Sequence, residues 1–260
     1  MTTRNRTFLT LAIVAMAAFV LTATSANAAL IESDIDISNP YVPVALQYEG
    51  AQFRLVFRTD DDYQALSTSI DWYNAQVTTE ANTNTDLNGL GWYVIGSTSA
   101  VSAKANTYTG TSDTTVPIYA LAGHVVSDTY NNLWDGDNID GLIQDTPQGA
   151  VKTAQVHSGT KKEGVTSSYP LGGALSEGTL YTNWGDPSTT YQNWIHKSGG
   201  WPVGWGANPS ANVQGLYGMS GVLTVVSEPD QGAIPEPATM CALGLAVAGL
   251  GGYVRKRRKA

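Results

Sequence analysis

Two apolar runs, one at each end of the 260-residue chain, fix how much of it is available to a folded body. At the start, Arg4 and Arg6 precede an apolar stretch from Phe8 to Leu21. Polar Thr22, Thr24 and Ser25 then lead into Ala26-Asn27-Ala28. A basic start, a run of about 14 apolar residues and a small-residue site form the pattern of a secretory leader, with cleavage expected after Ala28. The run falls short of the roughly 20 residues that span a bilayer comfortably. At the other end, Ala238 to Val254 is free of charge, and Arg255, Lys256, Arg257, Arg258 and Lys259 follow it. A span of that length is just sufficient to cross a membrane, and a basic flank stays on the cytoplasmic side, so the body is expected to face outward. The division that follows is a leader over 1–28, a loosely structured lead-in over 29–50 and an exported domain over 51–227. A linker occupies 228–237, a membrane segment 238–254 and a basic tail 255–260.

The exported part differs in charge from the whole. The chain carries −8, but residues 29–233 hold seven Lys and Arg against 21 Asp and Glu, a net of −14. Polyanions select basic patches, so nucleic acid and anionic membrane surfaces are excluded as partners of this part. The single cysteine, Cys241, lies inside the C-terminal apolar run. The exported domain therefore forms no disulfide in an oxidising compartment, and core burial must stabilise it, helped in one reading by a Ca²⁺ ion.

Periodicity sketches a mixed fold. "QFRLVFRT", Gln52 to Thr59, alternates Phe53, Leu55 and Phe57 with Arg54, Val56 and Arg58, which predicts a strand with one core face and one wet face. Ile70, Tyr73, Val77 and Ala81 recur at helical spacing, which predicts an amphipathic helix over about 68–81, capped by Ser67 or Thr68. A strand is expected at Trp92 to Ile95, a hairpin at Pro117 to Leu121 and His124 to Val126, and a short helix capped by Ser127 or Asp128 ending near Trp134. Gly, Pro, Asn, Asp, Ser and Thr dominate 136–212, implying long loops between short strands, before a closing strand at Gly221 to Val226. No fixed-period repeat occurs, and the order of elements favours α+β, with an all-β sandwich as the alternative.

Two clusters invite a chemical reading. In "WDGDNIDG", Asp135, Asp137 and Asp140 crowd a Gly-rich loop, as a hard ion such as Ca²⁺ requires. The EF-hand spacing fails, because Ile139 takes the fifth position and Asp140 the sixth, where that loop needs Gly; a solvated turn is the competing reading. Trp184, Trp194, Trp201 and Trp205 fall within 22 residues, beside Asp186 and several Asn. Exposed aromatics stack on sugar rings while amides and carboxylates bond their hydroxyls, whereas the competing reading places these indoles in a core. Enzyme motifs are lacking: His124, His157 and His196 have no ligand spacing, and "YGMSGV" carries Val222 where G-x-S-x-G needs its last Gly.

The C-terminal block, with Pro235-Glu236-Pro237, Ala238-Thr239-Met240, the Gly/Ala/Leu span and the basic end in that order, resembles the PEP-CTERM sorting signal of Gram-negative bacteria. The resemblance implies recognition by an exosortase, a membrane-embedded thiol transpeptidase or protease. It also implies transient holding in the inner membrane, removal of the tail, and delivery to the cell surface or extracellular matrix, often alongside exopolysaccharide. The middle, through "FRLVFRTD", "Leu133-Trp134-Asp135-Gly136" and "YTNWGDPSTTYQNWI", is similar to bacterial domains of the endostatin and C-type lectin-like fold, which usually keep disulfides that this chain cannot form. Together these readings lead to the expectation of a non-enzymatic binding or structural module directed toward polysaccharide. A polysaccharide hydrolase and a Ca²⁺-stabilised structural protein are the alternatives.

Overall fold

A computed structural model of the chain describes residues 30–110, 115–176, 179–197 and 207–227. The leader, the Pro-Glu-Pro block with its apolar run, Trp201 and Trp205 lie outside the described residues. In chain order the elements are β1 (Glu32–Asp36), β2 (Gln52–Arg58), β3 (Tyr63–Gln64), α1 (Ile70–Ala81), β4 (Trp92–Val94), α2 (Ala103–Asn106), β5 (Ile118–Ala120) and β6 (Val125–Ser127). There follow α3 (Tyr130–Trp134), β7 (Val156–His157), β8 (Ala174–Ser176), β9 (Thr179–Gly185), β10 (Ala207–Pro209), β11 (Val213–Gln214), β12 (Tyr217–Ser220) and β13 (Val222–Val226). The architecture is mixed and dominated by strands, and among the described residues no helix is long and apolar enough to cross a membrane.

β2 is the axis of the molecule. It pairs antiparallel with β12 and β13 on one side and parallel with β5 on the other. β12 and β13 meet at Gly221, where a Cβ would lie 1.8 Å from the Ile31 carbonyl oxygen, so only glycine allows this crossing. Beyond them, β4 continues β12 and β1 continues β13, the latter in parallel register from Glu32 opposite Val222 to Asp36 opposite Val226. Within the lead-in, Glu32–Asp36 thus form a strand of the sheet rather than a loose segment. As an edge strand with only Ile35 buried, β1 shows no apolar alternation, which hides it from periodicity.

The strand at β2 forms as expected, but its second face is not wet. Phe53, Leu55 and Phe57 pack with Tyr73, Val77 and Ala81 of α1 in one core, while Val56 joins Ile95, Leu133, Trp134, Trp194 and Tyr217 in a second. Both arginines between them are fully buried. Arg54 donates to the Ser220 carbonyl from Nε and Nη2 at 2.7 and 2.5 Å, and to the Thr107 carbonyl from Nη1 at 2.7 Å. Its guanidinium thereby satisfies backbone acceptors at the sheet crossing and beyond the end of α2, where no ladder partner is available. Burial lowers its pKa, and the Tyr130 ring, 5.5 Å away, faces the cation.

α1 starts at Ile70 rather than Thr68. Ser69 occupies the cap position without a side-chain bond, because the Ser67 hydroxyl instead accepts from the Ser69 amide. Likewise α3 is capped by Thr129, whose hydroxyl accepts from the Asn132 amide at 3.1 Å, and not by Ser127 or Asp128. In the loop-rich half a second sheet, β10-β9-β7 with β8 on β9, encloses the far side of the second core.

Candidate ligand-binding trough

The two tryptophans of the sequence cluster that the structure describes are interior. Trp194 is 2% exposed and lies between Trp134 and Tyr217, with ring centroids 5.8 and 5.9 Å away. Tyr217 donates its hydroxyl to the Trp194 carbonyl at 3.0 Å, and complete burial holds its pKa well above 10.0. Trp184 is 5% exposed beneath the Lys197 ammonium, 4.5 Å from its ring centre. Neither indole offers a face to a sugar, so the assignment of Trp184 and Trp194 as ligand residues is corrected to core.

The acidic loop after α3 is equally specific in its placement. Asp135, Asp137 and Asp140 are all exposed, and Asp135 accepts from the Asp137 amide at 2.8 Å in a local turn. Ile139, which breaks the EF-hand spacing, is buried in the second core and pins the loop. Among the described residues no group of three or more His, Cys, Asp or Glu could hold a metal ion.

An exposed aromatic stands elsewhere. Trp72 lies on α1 but off the stripe formed by Ile70, Tyr73, Val77 and Ala81, and the residue is 39% exposed. It meets Tyr63 edge-on at 6.3 Å and Tyr73 at 4.9 Å. Trp72, Tyr63 and Leu66 line a hollow of about 610 Å³ that also touches Asp62 and Val213. A second hollow of the same size shares Asp62 and Val213 and adds Gln155, Asp186, Ser188 and Gln214. Between them runs the short ladder of β3 and β11, Val213 opposite Gln64 and Gln214 opposite Tyr63. Of the described residues in the sequence-predicted ligand set, Trp184, Asp186 and Trp194, it is Asp186 that reaches this trough.

The walls are held by a buried acid that the sequence reading did not single out. Glu80, 4% exposed near the end of α1, accepts from the Asp60 and Asp61 amides at 3.1 and 2.7 Å. It also accepts from the Tyr63 hydroxyl and the Gln148 amide, each at 3.1 Å. Burial, followed by the Glu80 charge, raises the Tyr63 pKa far above 10.0, so the phenol remains a donor. Lys152 closes the turn from outside, pairing with the Asp60 carboxylate at 3.0 Å and donating to the Asp60 carbonyl.

Beneath the trough the polar network is incomplete. Arg58 pairs with Asp62 at 2.8 Å, and its guanidinium fills the space that a Cβ on Gly215 would take, 2.7 Å from Cζ. Arg58 Nε, Asp145 Oδ2, His157 Nδ1 and Gln214 Oε1 are buried without hydrogen-bond partners. All four sit around one point: Arg58 packs on Gly215 and donates its amide to the Asp145 carbonyl, His157 donates its amide to the Gly215 carbonyl, and Gln214 precedes Gly215. Burial lowers the His157 pKa below 6.5, and its Nε2 lies 2.9 Å from the Asn212 carbonyl, so the neutral ring donates there and leaves Nδ1 as an acceptor. Unpaired buried polar atoms are costly, and of these four residues Gln214 is the one that also lines the trough.

Comparison with known proteins speaks to the other end of the chain. A family model described as the PEP-CTERM protein-sorting motif matches residues 233–258. The chain therefore carries a sorting signal of the exosortase system: it is an exported protein, held transiently by its C-terminus before cleavage by an exosortase-type enzyme. Pro235, Glu236 and Pro237 and the basic residues Arg255 to Lys259 fall within the match or at its border. No curated protein matches the chain. Nothing in the comparison supports the C-type lectin-like or endostatin-like resemblance of the body.

Proposed function

We propose that the exported body is a non-catalytic binding module for extracellular polysaccharide, using the trough beside Trp72, and that sorting delivers it to the cell surface or matrix after removal of a leader at Ala28. The observation that carries this reading is Trp72, a large, partly exposed indole braced by Tyr63, where an apolar sugar face can stack beside Asp62 while a neighbouring unit of the polymer meets Gln155 and Gln214 in the adjoining hollow. Asp62 already accepts from Arg58, and Asp186 accepts from the Ser188 hydroxyl and amide at 2.5 and 3.0 Å. Carboxylates engaged in this way suit recognition better than the protonated acid that a glycosidase needs.

Orientation favours the same reading. Thr224 lies opposite Gln52, so the chain leaves the body at Ser227 near the start of β2, whereas Asp62 and Tyr63 follow its end. Seven strand residues separate the two poles by about 20 Å. The trough thus lies at the pole of β2 opposite the last described residue, Ser227.

An array of bacterial exopolysaccharides tests the binding claim. The exported chain is expected to bind at least one polymer, and Trp72→Ala is expected to abolish that binding. Absence of binding to every polymer overturns it. For the sorting claim, mass spectrometry of the exported species should find no residues beyond the Pro-Glu-Pro region; intact Arg255 to Ala260 on the mature protein would sink it.

A further inference from the structure

The polar hollow has a chemical bias that a general sugar site lacks. Its side-chain polar groups are the Asp62 and Asp186 carboxylates, the Gln155 and Gln214 amides and hydroxyls such as that of Ser188; among the described residues no Lys or Arg lines it. Arg58, the cation nearest Asp62, is fully buried and committed to that carboxylate and to the Thr59 carbonyl. Asp186 has no ion-pair partner among the described residues. Gln214 is 8% exposed, with Nε2 donating to Gln155 Oε1 at 3.2 Å and its own Oε1 buried without a partner. The unmet demand of this hollow is therefore for donors, preferably charged ones. The exported part as a whole carries −14, which adds a long-range preference of the same sign.

We infer that the trough selects polymers bearing free amines, a partly or fully deacetylated hexosamine chain, over neutral or uronic acid polymers. This rests on the binding reading above and adds the identity of the ligand class. An ammonium beside Asp186 supplies the missing charge, and the polymer can extend from there past Asp62 and Val213, which both hollows share, to stack a ring on Trp72. A uronate in the same place would set a third carboxylate beside Asp62 and Asp186, and an N-acetyl group would remove the charge.

The test measures binding of the exported chain by calorimetry to polyglucosamine, to its fully N-acetylated counterpart and to a polyuronate of equal length, at low and high salt. Polyglucosamine is expected to bind tightest, with affinity that falls as salt rises, since exposed charge pairs are screened. Asp186→Asn should weaken it by about tenfold or more, the scale of one charge-assisted hydrogen bond. Val213→Lys is a second probe that leaves the fold alone, because Val213 is exposed on β11; it should weaken polyglucosamine and strengthen the polyuronate. Equal or tighter binding of the acetylated or uronate polymer overturns this inference while leaving the binding reading intact. Salt-independent binding of polyglucosamine, unaffected by both variants, overturns it as well. Failure of all three polymers, together with a blank array, removes both readings.

Discussion

Trp134, Trp194 and Tyr217 form a column sealed inside the second core, whereas Trp72 and Tyr63 stand at the rim of the trough with the indole partly in water. Residue types are the same in the two groups, and what differs is the number of layers around them. The column shares the second core with Val56 of β2 and Val156 of β7, in a domain without disulfides, where large rings fill space that short strands cannot. Trp72 sits on the longest helix among the described residues, whose packing needs are met by Tyr73, Val77 and Ala81, so its ring is surplus to the core. The column should therefore serve stability and the rim should serve recognition.

The sharpest test of that contrast is Trp194→Ala. Removing a fully buried indole leaves a cavity between Trp134 and Tyr217, and the expected loss is about 3–5 kcal/mol of unfolding free energy, read from urea denaturation. A loss as small as that of a surface residue would show the loop-rich half to be plastic, and the division of roles would fail.

Glu80 should fall between the extremes, because it is buried as the column is and yet braces the rim. It lies on α1, and its oxygens organise the Asp60–Tyr63 wall through two amides and a phenol. Glu80→Ala leaves those donors unpaired and is expected to cost about 1–3 kcal/mol. It should also lower ligand affinity, which a purely structural residue remote from the trough would not do. Unchanged affinity in a folded Glu80→Ala protein would mean that the wall holds its shape without it.

His157 links the floor of the trough to pH. Burial depresses its folded-state pKa below 6.5, so the unfolded chain takes up the proton first as pH falls. The stability of neutral buried His157 is thus intact above about pH 6.5 and declines as pH drops through the folded value. Melting temperatures between pH 7.5 and 5 should fall for the natural chain and fall less for His157→Gln, whose amide can still donate to the Asn212 carbonyl. Parallel curves for the two proteins would remove His157 as a cause.

The parts of the fold carried by strong periodicity were legible: β2, α1, the β5–β6 hairpin and the closing strand all lie within a few residues of expectation. The wet face assigned to Arg54 and Arg58 was not, because a strand buried on both faces by different layers looks amphipathic when long cations supply its backbone bonds. β1 was missed for the complementary reason, since an edge strand has little to bury. For the site, the composition of the second half drew attention to clustered tryptophans, of which Trp184 and Trp194 are interior. A signal for Trp72 was present in the same helix that was read correctly: an indole outside the 70-73-77-81 stripe has nowhere to go but the surface. Nothing local could reveal that Asp62, Asp186 and Gln214 converge, because they come from three separate loops and strands brought together by β3, β9 and β11.

The smallest effect on stability is the most informative about function. Trp72→Ala removes a ring that is partly in solvent and outside the helix's packing stripe, so unfolding free energy should fall by about 1 kcal/mol, much of it from the edge contacts to Tyr63 and Tyr73. Binding should respond in the opposite sense, with affinity falling about tenfold or more, because a central aromatic anchor carries a large share of the energy of a small site. If instead Trp72→Ala melts early and binds normally, the rim is an outlying piece of the core, and recognition must lie on a surface other than this trough.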